Sequence, residues 1–302
     1  MHSKSTSGDI YERLVVGRGL NGLGLPAIDG RLLVEKIETP RTKILDRSAV
    51  GRFNVEQTTG FPTARNIHWQ NLHFRNCDLY DLCIFSSDIT DCVFENCKLR
   101  NLRFWSTQVG DCRFVDCDLR AAAFGGTDHD KVSRNQFISI EFSHCDLRGA
   151  AHSSEIYRDC RFLHCRYAST DFFGAIFRNC VFEGSLDDTI FRGQYPLSSK
   201  VPPNYMMGCD LRKAEIQGCR FLNIDLDKVL LPNHPDLVIL RHGPKDLERW
   251  SDLFPDEVNE QRRKFIERSR EEMGTPGIFG LSLIREFFSE AEIEVLKGFA
   301  SE

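Results

Sequence analysis

The sequence predicts a mainly β fold, a parallel β-helix of square cross-section capped at both ends. Three observations predict it: a five-residue period in large apolar side chains, small residues two positions before them, and cysteines recurring at twenty. Every fifth residue from Trp69 reads Trp69, Phe74, Leu79, Ile84, Ile89, Phe94, Leu99, Phe104, Val109, Phe114, Leu119 and Phe124. All are large and apolar. The residues two before them run from Ile67 through Cys77, Cys97 and Cys117 to Ala122, and none is charged. A period of five matches neither a helix face nor a simple alternating strand, which excludes an amphipathic helix or a sandwich. A chain burying positions i and i−2 in every five must turn a corner after each unit. Four corners close a coil of about twenty residues, and such coils stack at ~4.8 Å.

The frame breaks after Phe124 and resumes at Phe137, running through Phe142, Leu147, His152, Tyr157, Phe162, Tyr167, Phe172 and Phe177 to Phe182. After a one-residue slip come Leu186 and Phe191, then Leu211, Ile216, Phe221, Leu226 and Leu231. Asp187 and Asp188 accompany the slip and read as a turn. These units amount to about seven coils. The segments CDLYD, CVFENCKLRN, CRFVDCDLRA, CDLRG, CRFLH and CDLRK give the chain its closest likeness. Over roughly Ile67 to Leu231 it resembles the pentapeptide-repeat family, which implies a right-handed quadrilateral β-helix. The expected organisation is an N-terminal cap (1–66), the β-helix (67–231) with insertions at 125–136 and 193–206, and a C-terminal helical cap (232–302).

With faces numbered zero to three from Trp69, Cys77, Cys97, Cys117, Cys145 and Cys165 stack on face two. Cys92, Cys112, Cys160 and Cys180 stack on face one. This agreement holds only if the break after Phe124 is an insertion at the corner between faces three and zero. The expected core includes Phe94, Leu99, Phe114, Leu119, Phe162 and Phe182 with Cys97, Cys117, Cys160 and Cys165. Cysteines in that position read as reduced, small hydrophobes, which suits a reducing cytoplasm.

An open stack has two raw ends that need covering. The first 66 residues offer a polar tail, a glycine-rich stretch and strand-like runs in RLLVEKI and RTKILDR, with Phe53 a candidate core residue. Gly17, Gly19 and Gly22 have dinucleotide-loop spacing, but no βαβ unit surrounds them. At the other end Pro244 and Pro255 open helical segments. Gly280 to Phe299 reads as two short helices, with a capping box at Ser289 and Glu292. The apolar residues Leu283, Ile284, Phe287, Phe288, Ile293, Val295, Leu296 and Phe299 must then cover the coil end or a second molecule, which allows a homodimer through these helices.

The chain carries 39 basic and 44 acidic residues, net −5. That balance argues against direct nucleic-acid or anionic-membrane binding. No apolar run is long enough to span a membrane, and the start lacks a signal-peptide core. The known gyrase-protecting members of the family resemble duplex DNA, which requires an acidic rod. Here residues 67–231 hold 19 basic against 22 acidic residues, and the acidic excess lies on the C-terminal cap.

Both insertions leave the tube at the corner between faces three and zero. There the repeat shows its only titratable core positions, His152 and Glu155, followed by Tyr157. A buried unpaired glutamate is costly, so Glu155 must be paired, protonated or turned outward. His152 and Glu155 could pair in a groove as a binding or acid–base site, or AAHSSE could be a degenerate unit with both side chains in water. Asp128, His129 and Asp130 in the first insertion and Tyr195 in the second complete the binding candidates. His144 and His164, twenty apart, should stack outward. No catalytic residues, metal ligands or cofactor are expected.

The expected function is therefore a non-enzymatic, cytoplasmic scaffold that binds a protein partner along the loop-bearing edge or through the acidic cap. The alternatives are a DNA-mimicking topoisomerase protector, and a small-molecule binder or enzyme using the groove at His152, Glu155 and Tyr157.

Overall fold

The protein was analysed as a computed structural model, which describes residues 6–40, 61–125, 134–153, 155–193, 206–216, 219–222, 224, 226–240, 244–254, 260–273 and 277–299. Face one is a nine-stranded sheet, parallel from Arg31–Glu35 onward through Leu72–Arg75 to Asp210–Glu215. Face zero is a seven-stranded parallel sheet running from His68–Gln70 to Met206–Met207. Face three holds sheets of three and four strands, joined through bridges from Arg103 to Ala123 and from Ala123 to Ala151. Face two is pinned by single bridges, such as Asp78 to Lys98 and Lys98 to Asp118.

The period of five arises because the regular corners are each made by one residue in the left-handed region. Asn66, Asn71, Asn76, Asp81, Ser86, Asp91 and Asn96 all have φ between 48° and 60°. Asn, Asp and Ser tolerate that conformation because their short polar side chains bond locally. Inside, like residues stack on like. Phe74, Phe94, Phe114, Phe142, Phe162 and Phe182 form a face-one column with ring centroids 4.7–5.1 Å apart. Offset stacking of this kind adds about 0.5–1.5 kcal/mol per pair beyond area burial.

All twelve cysteines are unpaired and buried. Eleven occupy the inward position, where most of the thiols reach backbone carbonyls; Cys97, for example, donates to Glu95 and Phe74 oxygens at 3.3 and 3.4 Å. Burial pushes the thiol of Cys83 up to about 12 and raises those of Cys117, Cys160 and Cys219. Cys83 lies outside the tube on face three, buried with Phe61, Phe85 and Trp105.

The structure differs from the spacing argument at both ends of the tube. The coil begins before Ile67: Leu32–Glu35 pair with Leu72–Arg75, and Glu38 bridges Asp78. The polar tail holds a helix, α1 (Ser7–Val15), closed by a capping box between Thr6 and Asp9. Ile10, Leu14 and Leu20 pack into the tube's core, and the Trp69 indole N–H donates to the Leu14 carbonyl at 3.1 Å. Gly17 and Gly22 take positive φ in the loop after α1, so their spacing reflects turns rather than a phosphate cradle. Phe53 and the RTKILDR run lie outside the described residues.

The second insertion is shorter than the spacing implied. Met206, read as part of it, is a buried face-zero strand residue paired with Phe177. Leu211 therefore falls on face one, not face zero, and Cys209 joins the column of Cys160 and Cys180. A bulge opposite Val181–Glu183 absorbs the extra residue. Gln136 likewise belongs to a face-zero strand rather than to the first insertion.

Beyond the tube, Leu237–Leu240 pairs antiparallel with Gly277–Gly280. Four helices surround that hairpin: α2 (Pro244–Leu253), α3 (Glu260–Met273), α4 (Leu281–Ile284) and α5 (Glu290–Phe299). Together they bury Trp250, Ile266, Ile284, Phe288, Ile293, Leu296 and Phe299 in a second core. The apolar tail is thus covered mainly by its own chain. The strand Leu237–Leu240 is a shared wall, with Leu237 against the tube's core and Val238 and Leu240 in the second. Ser289 and Glu292 do form the helix start, the Glu292 carboxylate accepting from the Ser289 backbone at 2.6 Å. The same carboxylate receives both Arg262 nitrogens at 2.9 and 3.0 Å.

Candidate functional site

His152 is carried by the face-three strand Ala151–Ser153, and Tyr157 by the face-zero strand Ile156–Arg158. Strand register puts His152 beside Phe172 and Tyr157 beside Phe137 and Phe177. Glu155 precedes Tyr157 by two, the inward position. The three side chains therefore meet inside the tube at the corner between faces three and zero. His152 Nδ1 lies 2.7 Å from the Tyr157 hydroxyl and 3.1 Å from Glu155 Oε1. The Tyr157 hydroxyl also donates to Glu155 Oε1 at 3.4 Å. His152 is 1% exposed, while Glu155 and Tyr157 are fully buried.

His152 and Glu155 do pair, the first of the two arrangements left open for them, and neither side chain faces water. The His152 ring is a rung of the face-three aromatic column, 4.8 Å from Phe124 and 4.3 Å from Phe172. Burial, followed by the Glu155 charge, pushes the Tyr157 hydroxyl well above its usual range. Among the described residues, His152 Nε2 and Glu155 Oε2 have no hydrogen-bond partner. On the outer side, Gly125 closes the group in. A Cβ on it would lie 2.3 Å from the Ser153 carbonyl oxygen and 2.7 Å from Glu155 Oε2.

The chain departs after Gly125 on face three and re-enters face zero at Gln136–Ile138. It departs again after Gly193 and re-enters at Met206–Met207. Asp128, His129, Asp130 and Tyr195 lie outside the described residues. Asn135, which the spacing did not single out, is 1% exposed at the first re-entry. Its amide donates to the Phe104 and Phe124 carbonyls at 2.7 and 2.6 Å and accepts from Thr107 N–H at 2.8 Å. It ties its own coil, at Phe124, to the neighbouring coil at Phe104 and Thr107. Its inward position in the unit was the available signal.

His144 and His164 stack outward with ring centroids 5.5 Å apart, as their spacing predicted. They border a shallow depression with Asp116, Asp118, Asp146 and Arg166. No group of three or more His, Cys, Asp or Glu suited to a metal ion occurs among the described residues. No helix among them is long and apolar enough to cross a membrane.

With the square coil and its unit geometry established, the family comparison agrees: a model of the pentapeptide repeat region matches residues 67–151. Residues 67–151 carry the pentapeptide repeat. Among solved structures, the chain is similar to a trypsin-treated form of QnrB1, a plasmid-mediated fluoroquinolone resistance protein. That match has 18% identity and a TM-score of 0.28, and covers 68% of this chain and 90% of the other. Full-length QnrB1 matches at 15% identity and a TM-score of 0.22, covering 56% of this chain and 81% of its own. HetL, a pentapeptide repeat protein involved in heterocyst differentiation regulation from the cyanobacterium Nostoc sp. strain PCC 7120, matches at 13% identity. Its TM-score is 0.20, with 60% of this chain and 94% of that one covered. No curated protein matches the chain.

Proposed function

We propose that this pentapeptide-repeat protein is a non-enzymatic, rigid scaffold that binds a protein partner along the edge where its two insertions leave the tube. The observation that carries the reading is the return of both insertions into the same face, at Gln136–Ile138 and Met206–Met207. A stacked coil is preorganised, so binding costs little ordering on this side. A catalytic role for His152, Glu155 and Tyr157 would require substrate to reach them. Phe124 and Phe172 cover the histidine ring, and Gly125 backs onto the glutamate. The twelve buried thiols suit a reducing compartment such as the cytoplasm.

A DNA mimic would need a continuous acidic stripe. The outer columns instead interleave signs, as in Asp78–Lys98–Asp118 and Glu35–Arg75–Glu95. A homodimer through the C-terminal helices would have to use their polar outer surface, because their main apolar residues fill the second core.

Affinity capture tests the proposal, comparing the full chain with a variant whose two insertions are replaced by short glycine-containing turns, both checked by circular dichroism. The expected result is a partner retained by the full chain and lost by the variant. Equal retention, or retention by neither, overturns the edge reading.

A further inference from the structure

We infer that the outer surface of face zero, beside the insertion edge, is a docking site for an acidic protein segment, gripped by Arg158 and Arg178. The inference rests on the edge-binding reading and supplies the partner's chemistry. Register places Arg158 directly beside Arg178 on neighbouring parallel strands. Both are exposed, and neither guanidinium has an ion-pair or hydrogen-bond partner among the described residues. Elsewhere on the tube several cations sit beside an acid one coil away. Arg75 meets Glu35 at 3.0 Å, Arg161 meets Glu141 at 3.6 Å and Lys213 meets Glu183 at 3.3 Å. Like charges side by side on a sheet destabilise it, so two adjacent guanidiniums without an acid call for carboxylates from outside.

The column around the pair is apolar. Ile138 is the register neighbour of Arg158, and Met207, 43% exposed, is that of Arg178. Half-buried Ile156 flanks them on the same face. Ile138 and Met207 lie on the strands that immediately follow the two insertions, so the pair is framed by the edge itself. Neighbouring rungs are ~4.8 Å apart. Carboxylates one turn apart on a helix are separated by about 5–6 Å, so both could take an arginine fork at once. The fitting partner is a helix with two acids one turn apart between apolar residues. The apolar bracket has no counterpart in a phosphate backbone, and the net charge of −5 opposes one, which favours protein over nucleic acid.

The probe is a labelled synthetic helical peptide with two glutamates one turn apart between leucines, titrated into the full chain at low salt. Saturable binding is expected, weakened at least tenfold by Arg158→Glu/Arg178→Glu, by glutamine in place of the peptide's glutamates, and by raised salt. Arg113→Glu, on face one, should leave it unchanged. Absent binding, equal binding by the double variant, or preference for a short single-stranded DNA overturns the inference. If the double variant still captures a partner that insertion trimming releases, this inference fails while the edge reading stands. If trimming releases nothing, the edge reading itself fails.

Discussion

The imidazole of His152 stacks on Phe124 with ring centroids 4.8 Å apart and planes within 3°. A histidine serves as a rung in a phenylalanine column because Glu155 and the Tyr157 hydroxyl meet its Nδ1 from the next face. The three polar groups depend on one another. His152→Phe should fit the column yet strand a buried carboxyl, lowering stability by about 1–3 kcal/mol. Adding Glu155→Ala and Tyr157→Phe removes the stranded groups and should recover much of that loss. Urea titration of both variants decides; a triple variant no more stable than the single one means that the group is not coupled.

Gly125 is the closing piece of that corner. Gly125→Ala forces a methyl group into the Ser153 backbone and should cost about 1–3 kcal/mol or more. Gly110→Ala is the control, since its Cβ would meet only Thr90 Cγ2 at 3.8 Å. Equal urea midpoints for the two variants would remove Gly125 from this role.

Ala121 is a corner residue with φ of 55°, at a column position where other coils place Asp81, Asn101, Gly149 and Ser169. An alanine there carries left-handed strain that glycine lacks. Ala121→Gly should raise stability by up to about 1 kcal/mol, and Gly149→Ala should lower it by a similar amount. A lower denaturation midpoint for Ala121→Gly would contradict the corner account.

The corner residues also mark what was legible. Core side chains repeat every five residues, so Phe74, Phe94 and Phe114 and the cysteine columns could be assigned to faces from spacing alone. The Asn and Asp corners were an equally regular signal, two residues beyond each core position, because only certain residues sit comfortably at positive φ. Met206 was hidden because the insertion before it erases the count, and a bulge then shifts Leu211. His152 and Glu155 were conspicuous as misfits. Their burial was not legible, because it depends on Gly125 and Phe172, which come from neighbouring coils. Arg158 and Arg178 look ordinary in the sequence; only register makes them neighbours.

The buried thiols predict alkaline sensitivity. Below about pH 8.5 the thiols of Cys83, Cys117, Cys160 and Cys219 are protonated in both folded and unfolded chains. Above it the unfolded chain releases protons that the fold retains at Cys83, whose thiol is pushed up to about 12, and at Cys117, Cys160 and Cys219. Stability should therefore fall with rising pH, by roughly 1.4 kcal/mol per pH unit for each fully titrating thiol. Urea midpoints at about pH 7, 9 and 10 test this; a flat profile would show that these thiols ionise as readily in the fold as outside it.

The C-terminal core has its own weak point. Arg262 and Glu292 form a buried bidentate pair, and the Arg262 guanidinium also lies 5.4 Å from the Trp250 ring and donates through Nε to the Phe287 carbonyl at 2.6 Å. Arg262→Ala leaves the buried Glu292 carboxylate with only its Ser289 hydrogen bonds, and breaking comparable buried pairs costs about 3–5 kcal/mol. The loss should fall on the second core, because the tube's aromatic columns do not include these residues. Trp250 lies in that core and Trp69 in the tube, so a Trp69→Phe/Trp105→Phe background makes fluorescence a local reporter. In that background Arg262→Ala should shift the fluorescence transition to lower urea while the far-ultraviolet dichroism of the coil unfolds later. Coincident transitions would mean that the two cores unfold as one, with the hairpin strand Leu237–Leu240 coupling them too strongly to separate.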